Sequence, residues 1–275
     1  MAGSLLRRIL DLVELLANYP RGLPLQSIAD TLAIPKSGAH RLLAELVEHH
    51  YAVQDVETGR YLLTTKFATL GLKHLSRTGV VDIAQSVLNR LADLSGELAR
   101  LAVVDYPRLV WVAKAQGART GLRFDGDMGT EARLSTTSTG IAWLASLSDE
   151  EALELVMRQG LGAPEECGPN APRTVAALMV LVAEARARGY AWVQDTNTPG
   201  AAAMAANIVH PQTGRAVGNL SVAGPSLRLT EAQRDAIAPE LLSAAADLSS
   251  VGAFSEYLGA LGGSARRHPE PVRRE

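Results

Sequence analysis

The feature that most limits what this chain can become is a helical apolar stripe cut once by a proline. It lies in residues 25–63 (LQSIADTLAIPKSGAHRLLAELVEHHYAVQDVETGRYLL). Ile28, Ala29 and Leu32 share one face of a short amphipathic segment over residues 27–32. Ala33-Ile34-Pro35 ends it, because a residue before proline is pushed out of the α region. A second helix can begin at Pro35 or Lys36, since proline is tolerated in a first turn. There Ala39, Leu42, Leu43, Leu46 and Val47 recur at i, i+3, i+4, i+7 and i+8. Strand-like runs at 51–53 and 60–63, joined by turn residues 55–59, follow directly. The pattern predicts a winged helix-turn-helix.

The face opposite the stripe carries Lys36, Ser37, Gly38, His40, Arg41 and Ala44. Small residues let a helix axis approach a DNA groove. Serine and histidine can bond base edges or phosphates, and arginine can bond guanine with two N–H groups. Free N–H groups at the helix start favour a phosphate oxygen. Gln26 before this helix, and Thr58 and Arg60 at the wing, complete the candidate DNA contacts. Read from pattern alone, plain structure is the less favoured alternative for two helices and a hairpin.

These residues resemble the DNA-binding domain of the IclR family of bacterial transcription regulators. The family's recognition segment usually reads L-P-K-S-T-V-H-R-L-L. Pro35, Lys36, Ser37, His40, Arg41, Leu42 and Leu43 match it, while Gly38 and Ala39 depart. Gly38 lacks the usual hydroxyl and costs about 1 kcal/mol of helix propensity relative to alanine.

Upstream, Leu5, Ile9, Leu12, Val13, Leu15 and Leu16 recur at helical spacing over residues 4–18, with Ser4 as N-cap. This helix is expected to pack across the helix-turn-helix, and the resemblance also makes it a candidate dimer contact. Residues 66–77 read as a linker helix through Phe67, Leu70, Leu72 and Leu75, ended by Thr78-Gly79, with Gly71 as a weak point or bend.

Beyond residue 80 the texture changes. A helix over 81–95 closes at Gly96, and strands at 97–105 and 109–116 flank the turn Tyr106-Pro107-Arg108. Residues 122–133 read as a loop with a short strand. A helix begins at Ser138 or Thr139, and another spans 149–159 with three acidic residues at its positive end. After a Gly/Pro loop holding Cys167, Thr174 caps a helix that runs to Arg188 and stops at Gly189. Strands are expected at 191–194, 205–209 and 216–222. Thr230 caps a last helix, interrupted at Pro239 and running toward Phe254, and residues 259–275 read as a disordered tail.

This order predicts an α+β fold with a curved antiparallel sheet. The segments LSTTSTGIAWLASLSDEE, ARARGYAWVQD and AVGNLSVAGPSLRLT are similar to IclR-family segments, although Ile141 stands where the family usually has lysine. The resemblance, covering roughly residues 4–255, implies a GAF-like effector-binding domain. The expected organisation is a DNA-binding domain over 1–65, a linker helix over 66–79, and an effector-binding and oligomerisation domain over 80–258. By the same resemblance, Ser138 and Thr139 fall on the loop that holds the ligand's acid. Gln194 and Asp195 fall on a polar strand end, Ala201 and Ala203 on the following wall, and Ser221 and Ala223 on the strand opposite. The hydroxyl run at 135–139 reads equally well as an N-cap loop. The alanines at 201–203 enlarge the wall, so an aromatic or similarly sized organic acid is expected rather than a two- or three-carbon acid. Trp111, Trp143 and Phe124 read as core before they read as ligand contacts.

Composition excludes several alternatives. The 275 residues suit two domains, and 47% hydrophobic content supports real cores. A net charge of −2 means that any DNA binding comes from a local cationic face. Cys167 is the one cysteine, which rules out an internal disulfide and a cysteine-cluster zinc site and fits a reducing cytoplasm. No apolar run reaches membrane-spanning length, and Asp11 and Glu14 break any signal-peptide pattern at the start. There is no G-x-S-x-G, H-E-x-x-H or P-loop, and His49 and His50 point about 100° apart on a helix, so neither catalysis nor a metal site is expected. The expectation is a ligand-responsive regulator without a cofactor. It binds a palindromic double-stranded operator as a homodimer, or as a dimer of such dimers. Two rival readings stay open: a DNA-binding protein whose second domain only oligomerises, and an enzyme fused to a DNA-binding domain.

Overall fold

The computed structural model describes residues 4–252 and 257–259. The expectations for the stretch around Phe254 and for the tail beyond Gly259 lie outside the described residues. The chain divides into two compact units, one reaching to Arg77 and the other starting at Thr78.

The first unit contains α1 (Leu5–Ala17), α2 (Leu25–Thr31), α3 (Lys36–Glu48), β1 (Ala52–Gln54), β2 (Tyr61–Leu63) and α4 (Lys66–Thr78). Ser4 caps α1 as expected, its hydroxyl accepting the Arg7 N–H at 3.3 Å. Leu12 and Leu16 of α1 bury against Ile28 and Ala29 of α2 and the predicted stripe Ala39, Leu42, Leu43 and Leu46 of α3, while Val47 is half-buried. The turn between α2 and α3 passes through Ala33 at φ 51°, a left-handed conformation. A β-carbon there costs about 1–2 kcal/mol, which the surrounding core holds in place. One strand-like contact was not foreseen: Leu23 exchanges two backbone hydrogen bonds with Tyr61, at 3.0 and 2.8 Å. The wing therefore gains a third edge. Helix α4 runs unbroken through Gly71 and contains no buried residue.

The second unit contains α5 (Val80–Ser95), β3 (Leu98–Asp105), β4 (Arg108–Gln116), α6 (Ser138–Ala145), α7 (Asp149–Gln159), α8 (Val175–Arg188), β5 (Ala191–Gln194), β6 (Ala201–Val209), β7 (Ala216–Pro225) and α9 (Glu231–Ser250). Its strands form one antiparallel sheet in the order β4-β3-β7-β6-β5. On one face, Leu88 and Leu91 of α5 and Leu241 and Leu248 of α9 meet Leu101, Met204, Leu220 and Val222. On the other, Trp143 of α6, Leu155 of α7 and Leu178 and Val182 of α8 meet Ala102, Leu109, Val193 and Ala205. The fold class is α+β. No described helix is long and apolar enough to cross a membrane.

Three elements depart from the sequence reading. Strand β6 begins at Ala201 rather than 205, because pairing with β5 and β7 on both sides holds an alanine run whose own strand preference is weak. Helix α9 continues through Pro239. The proline lacks the N–H that would reach the Asp235 carbonyl, yet Ile237, Ala238 and Leu241 are buried against the sheet and keep the helix in line. Residues 122–133 contain no strand, only a single bridge between Val110 and Glu131.

Candidate functional site

Helix α3 begins without a side-chain cap, after Pro35. Its apolar stripe fixes which side faces out, and Lys36, Ser37, His40 and Arg41 are all exposed there. Among the described residues none of these four side chains has a hydrogen bond or ion pair within the protein. That is unlike Arg90, Arg108, Arg186 and Arg215, each of which holds a carboxylate at 2.6–2.9 Å. Gly38 sits among them with open space beyond its Cα, only Pro35 Cδ lying within reach at 3.9 Å.

The other expected DNA contacts are more engaged. The Gln26 amide donates to Asp30 at 2.8 Å along α2. Thr58 donates both its N–H and its hydroxyl to Asp55 at 2.7 Å. These bonds hold the Asp55 carboxyl below its ordinary 3.8. Arg60 is exposed, but its guanidinium donates to the Gly22 carbonyl at 3.1 Å, tying the wing to the turn after α1. Thr58 and Arg60 thus shape the wing as well as lining its surface.

In the second unit a cavity of about 130 Å³ lies between the sheet and the start of α6. Ser138, Ala201, Ala203 and Ala223 lie on its lining as the resemblance implied, together with Thr137, Val193, Thr196 and Asn197. The remaining expected residues lie elsewhere. Val193 faces the cavity, so strand alternation turns Gln194 outward to solvent. Asp195, at φ 55°, makes a turn in which its carboxylate accepts the Gly200 N–H at 2.5 Å. Thr139 is buried in the first turn of α6, its carbonyl accepting from Asn219 at 2.9 Å. Ser221 is buried and off the lining, paired with Arg100 across β3 and β7.

The hydroxyl run before α6 is largely structural. Ser135 donates to Leu161 at 3.0 Å, Thr136 to Asn197 at 2.8 Å and Thr137 to Arg133 at 2.7 Å. Thr137 also caps α6, accepting the Gly140 N–H at 3.0 Å. Ser138 alone both lines the cavity and has a hydroxyl without a protein partner among the described residues.

Sequence reasoning missed Arg100. It lies on β3 between apolar neighbours, is 7% exposed, and lines the cavity. Its guanidinium stacks 4.0 Å from the Trp111 ring centroid, and the Phe124 ring lies at 5.9 Å. Burial pulls it down to about 10, so it is still a cation at neutral pH. A lone arginine inside the run LARLAVV was the available signal, since both faces of such a strand read as buried.

A larger cavity of about 430 Å³ lies at the opposite end of the same sheet, lined by Tyr106, Trp143, Leu155, His210 and Arg215. Arg215 is held there by Glu151 at 2.9 Å, and none of the buried polar atoms without a partner lies on that lining.

Residues 5–56 match the IclR helix-turn-helix domain, and residues 72–250 match the C-terminal domain of the bacterial transcriptional regulator IclR. The chain belongs to the IclR family. It is 30% identical over 244 residues to the HTH-type transcriptional regulator BhcR of Paracoccus denitrificans, covering 89% of this chain and 85% of that one. It is 28% identical over 229 residues to the transcriptional repressor IclR of Escherichia coli, covering 82% and 81%. A crystal structure of an IclR homolog from Microbacterium hydrocarbonoxydans, complexed with 4-hydroxybenzoate, superposes with a TM-score of 0.73 at 21% identity, covering 94% of this chain and 100% of that one. This IclR-family chain is therefore a DNA-binding transcription regulator and not an enzyme.

Proposed function

We propose that this IclR-family protein binds a palindromic operator as a homodimer, or as a dimer of such dimers, and that a small organic acid bound beneath α6 changes its grip on DNA. The observation that carries the reading is the open edge of α3. Lys36, Ser37, His40 and Arg41 stand exposed and unpaired at a helix start, as a helix entering a major groove requires. In this reading residues 1–65 bind DNA, 66–79 connect, and 80–258 form a GAF-like domain for the effector and for assembly. The protein acts in the cytoplasm, with the DNA.

Self-association is supported by apolar surface left over in the first unit. Helix α4 carries Phe67, Leu70 and Leu72 yet buries none of its residues, and α1 exposes Leu5, Leu6 and Leu10. A single helix-turn-helix reads only a half-site, and two-fold pairing supplies the second.

The effector arm rests on the cavity beneath α6 and on the relative that carries 4-hydroxybenzoate. The alanines at 201 and 203 leave room for a ligand larger than a three-carbon acid. To regulate, the ligand must favour one placement of the DNA-binding domains over another.

Two measurements test this. Selection from random-sequence duplex DNA should return an inverted repeat with half-sites a whole number of helical turns apart; an unrelated or unrepeated motif overturns the dimeric operator. Thermal melting against small carboxylic acids should reveal a hit, since a ligand at ~100 times its dissociation constant adds about 2.7 kcal/mol. The hit should then shift operator affinity. No stabilisation by any compound would leave a DNA-binding protein whose second domain only assembles.

A further inference from the structure

The cavity beneath α6 holds an electrostatic imbalance that the protein itself does not relieve. Arg100 shares its sheet face with Ala102 and Val104 and is nine-tenths buried. Among the described residues it has no carboxylate partner and no hydrogen-bond acceptor, and its Nε is buried without a partner. The acidic groups around it are engaged elsewhere or open to water. Glu97, just before β3, grips Arg228 with both oxygens at 2.6 and 2.9 Å. Asp125 holds Lys114 at 2.6 Å, and Lys114 stands opposite Arg100 in the β3–β4 register, so this carboxylate is spent on a different cation. Asp127 at the rim is exposed.

Two further polar groups nearby are also orphaned. Trp111 Nε1 is buried without an acceptor although its ring stacks on the guanidinium. Ser221, directly opposite Arg100 in the β3–β7 register, has a buried hydroxyl with no partner. On the cavity lining Arg100 and Trp111 offer donors without an acceptor, the orphaned acceptor oxygens of Asn207 and Asn219 lying off that lining. Burying an uncompensated charge is strongly unfavourable, and unpaired buried donors add to the cost. A protein that keeps this arrangement is built to receive an acceptor-rich anion.

We propose that Arg100 is the residue that recognises the acid group of the effector, and that the effector is a monocarboxylate with about one ring. The carboxylate accepts two N–H groups of the guanidinium, whose planar fork fits it, while Trp111 backs the opposite face of the cation. The ring lies along Val193, Ala201, Ala203 and Ala223. The size of the cavity sets the limit: an apolar cavity of about 150 Å³ holds one benzene molecule, and this one is about 130 Å³. The inference rests on the reading of this cavity as the effector site. It moves the acid from the hydroxyl loop before α6, where most hydroxyls already have partners, to β3.

The test uses the full-length protein, its R100M and R100K variants, and three matched probe pairs. These are benzoate with benzamide, cyclohexanecarboxylate with its amide, and acetate with acetamide, followed by thermal melting and calorimetry. In the wild type, benzoate should raise the melting temperature and bind at least about tenfold more tightly than benzamide. R100M should weaken benzoate on the order of 100-fold and erase the preference for acid over amide, with R100K keeping part of it. Without ligand, R100M should melt no lower than the wild type, because it removes a buried charge that has no partner. An acid preference that survives in R100M overturns the role of Arg100 and leaves the effector site standing, as does equal binding of acid and amide by the wild type. A ligand-free R100M that melts well below the wild type identifies Arg100 as structural and overturns the proposal. No shift with any of the six compounds in the wild type overturns both.

Discussion

Helices α3 and α6 begin alike and end up in opposite surroundings. Each carries a hydroxyl residue near its start and a glycine as its third residue, Gly38 in Lys36–Glu48 and Gly140 in Ser138–Ala145. In α3 the polar start faces outward and its side chains have no partner. In α6 every residue from Ser138 to Leu144 is buried, and the loop before it is stitched to 161, 197 and 133. The two unpaired arginines of the candidate sites repeat the contrast. Arg41 is exposed and solvated, whereas Arg100 is desolvated and has no counter-charge among the described residues. A surface that recognises a macromolecule can be left open at no cost. A site inside a domain has to be built by bonds that hold the cavity apart.

The contrast breaks first at Gly140. A β-carbon there would meet Leu134 Cα at 2.4 Å and the carbonyl oxygens of Leu134 and Arg133 at 2.6 and 2.7 Å, all of them backbone. Gly140→Ala should therefore cost about 3 kcal/mol, the upper range for overpacking, and lower the melting temperature of the second unit. A change under ~1 kcal/mol would mean that the loop before α6 is looser than its bonds imply.

On the open side, Arg41→Ala should weaken operator binding by about 1–3 kcal/mol while leaving the melting temperature unchanged. An equal loss on random duplex DNA would make Arg41 a phosphate contact rather than a reader of bases. Gly38→Ala sharpens the same point with the opposite sign to Gly140. Its β-carbon enters open space, so helix propensity should decide and stabilise the first unit by about 1 kcal/mol, measured by denaturant unfolding. Loss of operator affinity in that variant would show that DNA backbone approaches Gly38 closely.

The smallest effect concerns the wing. Asp55 is ionised and bonded to Thr58 in the folded state, with its carboxyl held below 3.8 by those bonds. The unfolded chain binds the proton more readily, so this contribution is complete above pH 3.8 and is lost as pH falls through the lower folded-state value. The Thr58 amide resonance should stay constant from pH 7 to about 5 and shift only in the acid range. In Asp55→Ala it should no longer follow that transition.

The first unit was legible almost residue by residue. Its helices are amphipathic, its core is local, and the periodicity from Ala39 to Leu46 states which face is buried. Most boundaries in the second unit were legible too, because Gly96, Thr174, Gly189 and Thr230 punctuate helices by their own chemistry. Of the residues the resemblance pointed to, Ser138, Ala201, Ala203 and Ala223 line one cavity. Gln194 and Asp195 lie off that lining, since a shift of one residue along a strand, or one turn at its end, reverses a side chain.

Sequence alone determined the two kinds of fold, the exposed face of α3 and the family, because these depend on periodicity and on motifs that act locally. Only the tertiary structure decided that two of the hydroxyls before α6, those of Ser135 and Thr136, are taken by a distant carbonyl and a distant amide. It also decided that Glu97 and Asp125 are drawn to Arg228 and Lys114, leaving Arg100 buried beside Trp111 without a counter-charge. Which acid meets which base is set by how the loops flanking the strands fold back, which brings Arg228 to Glu97 and Asp125 to Lys114. No spacing within the sequence carries that information.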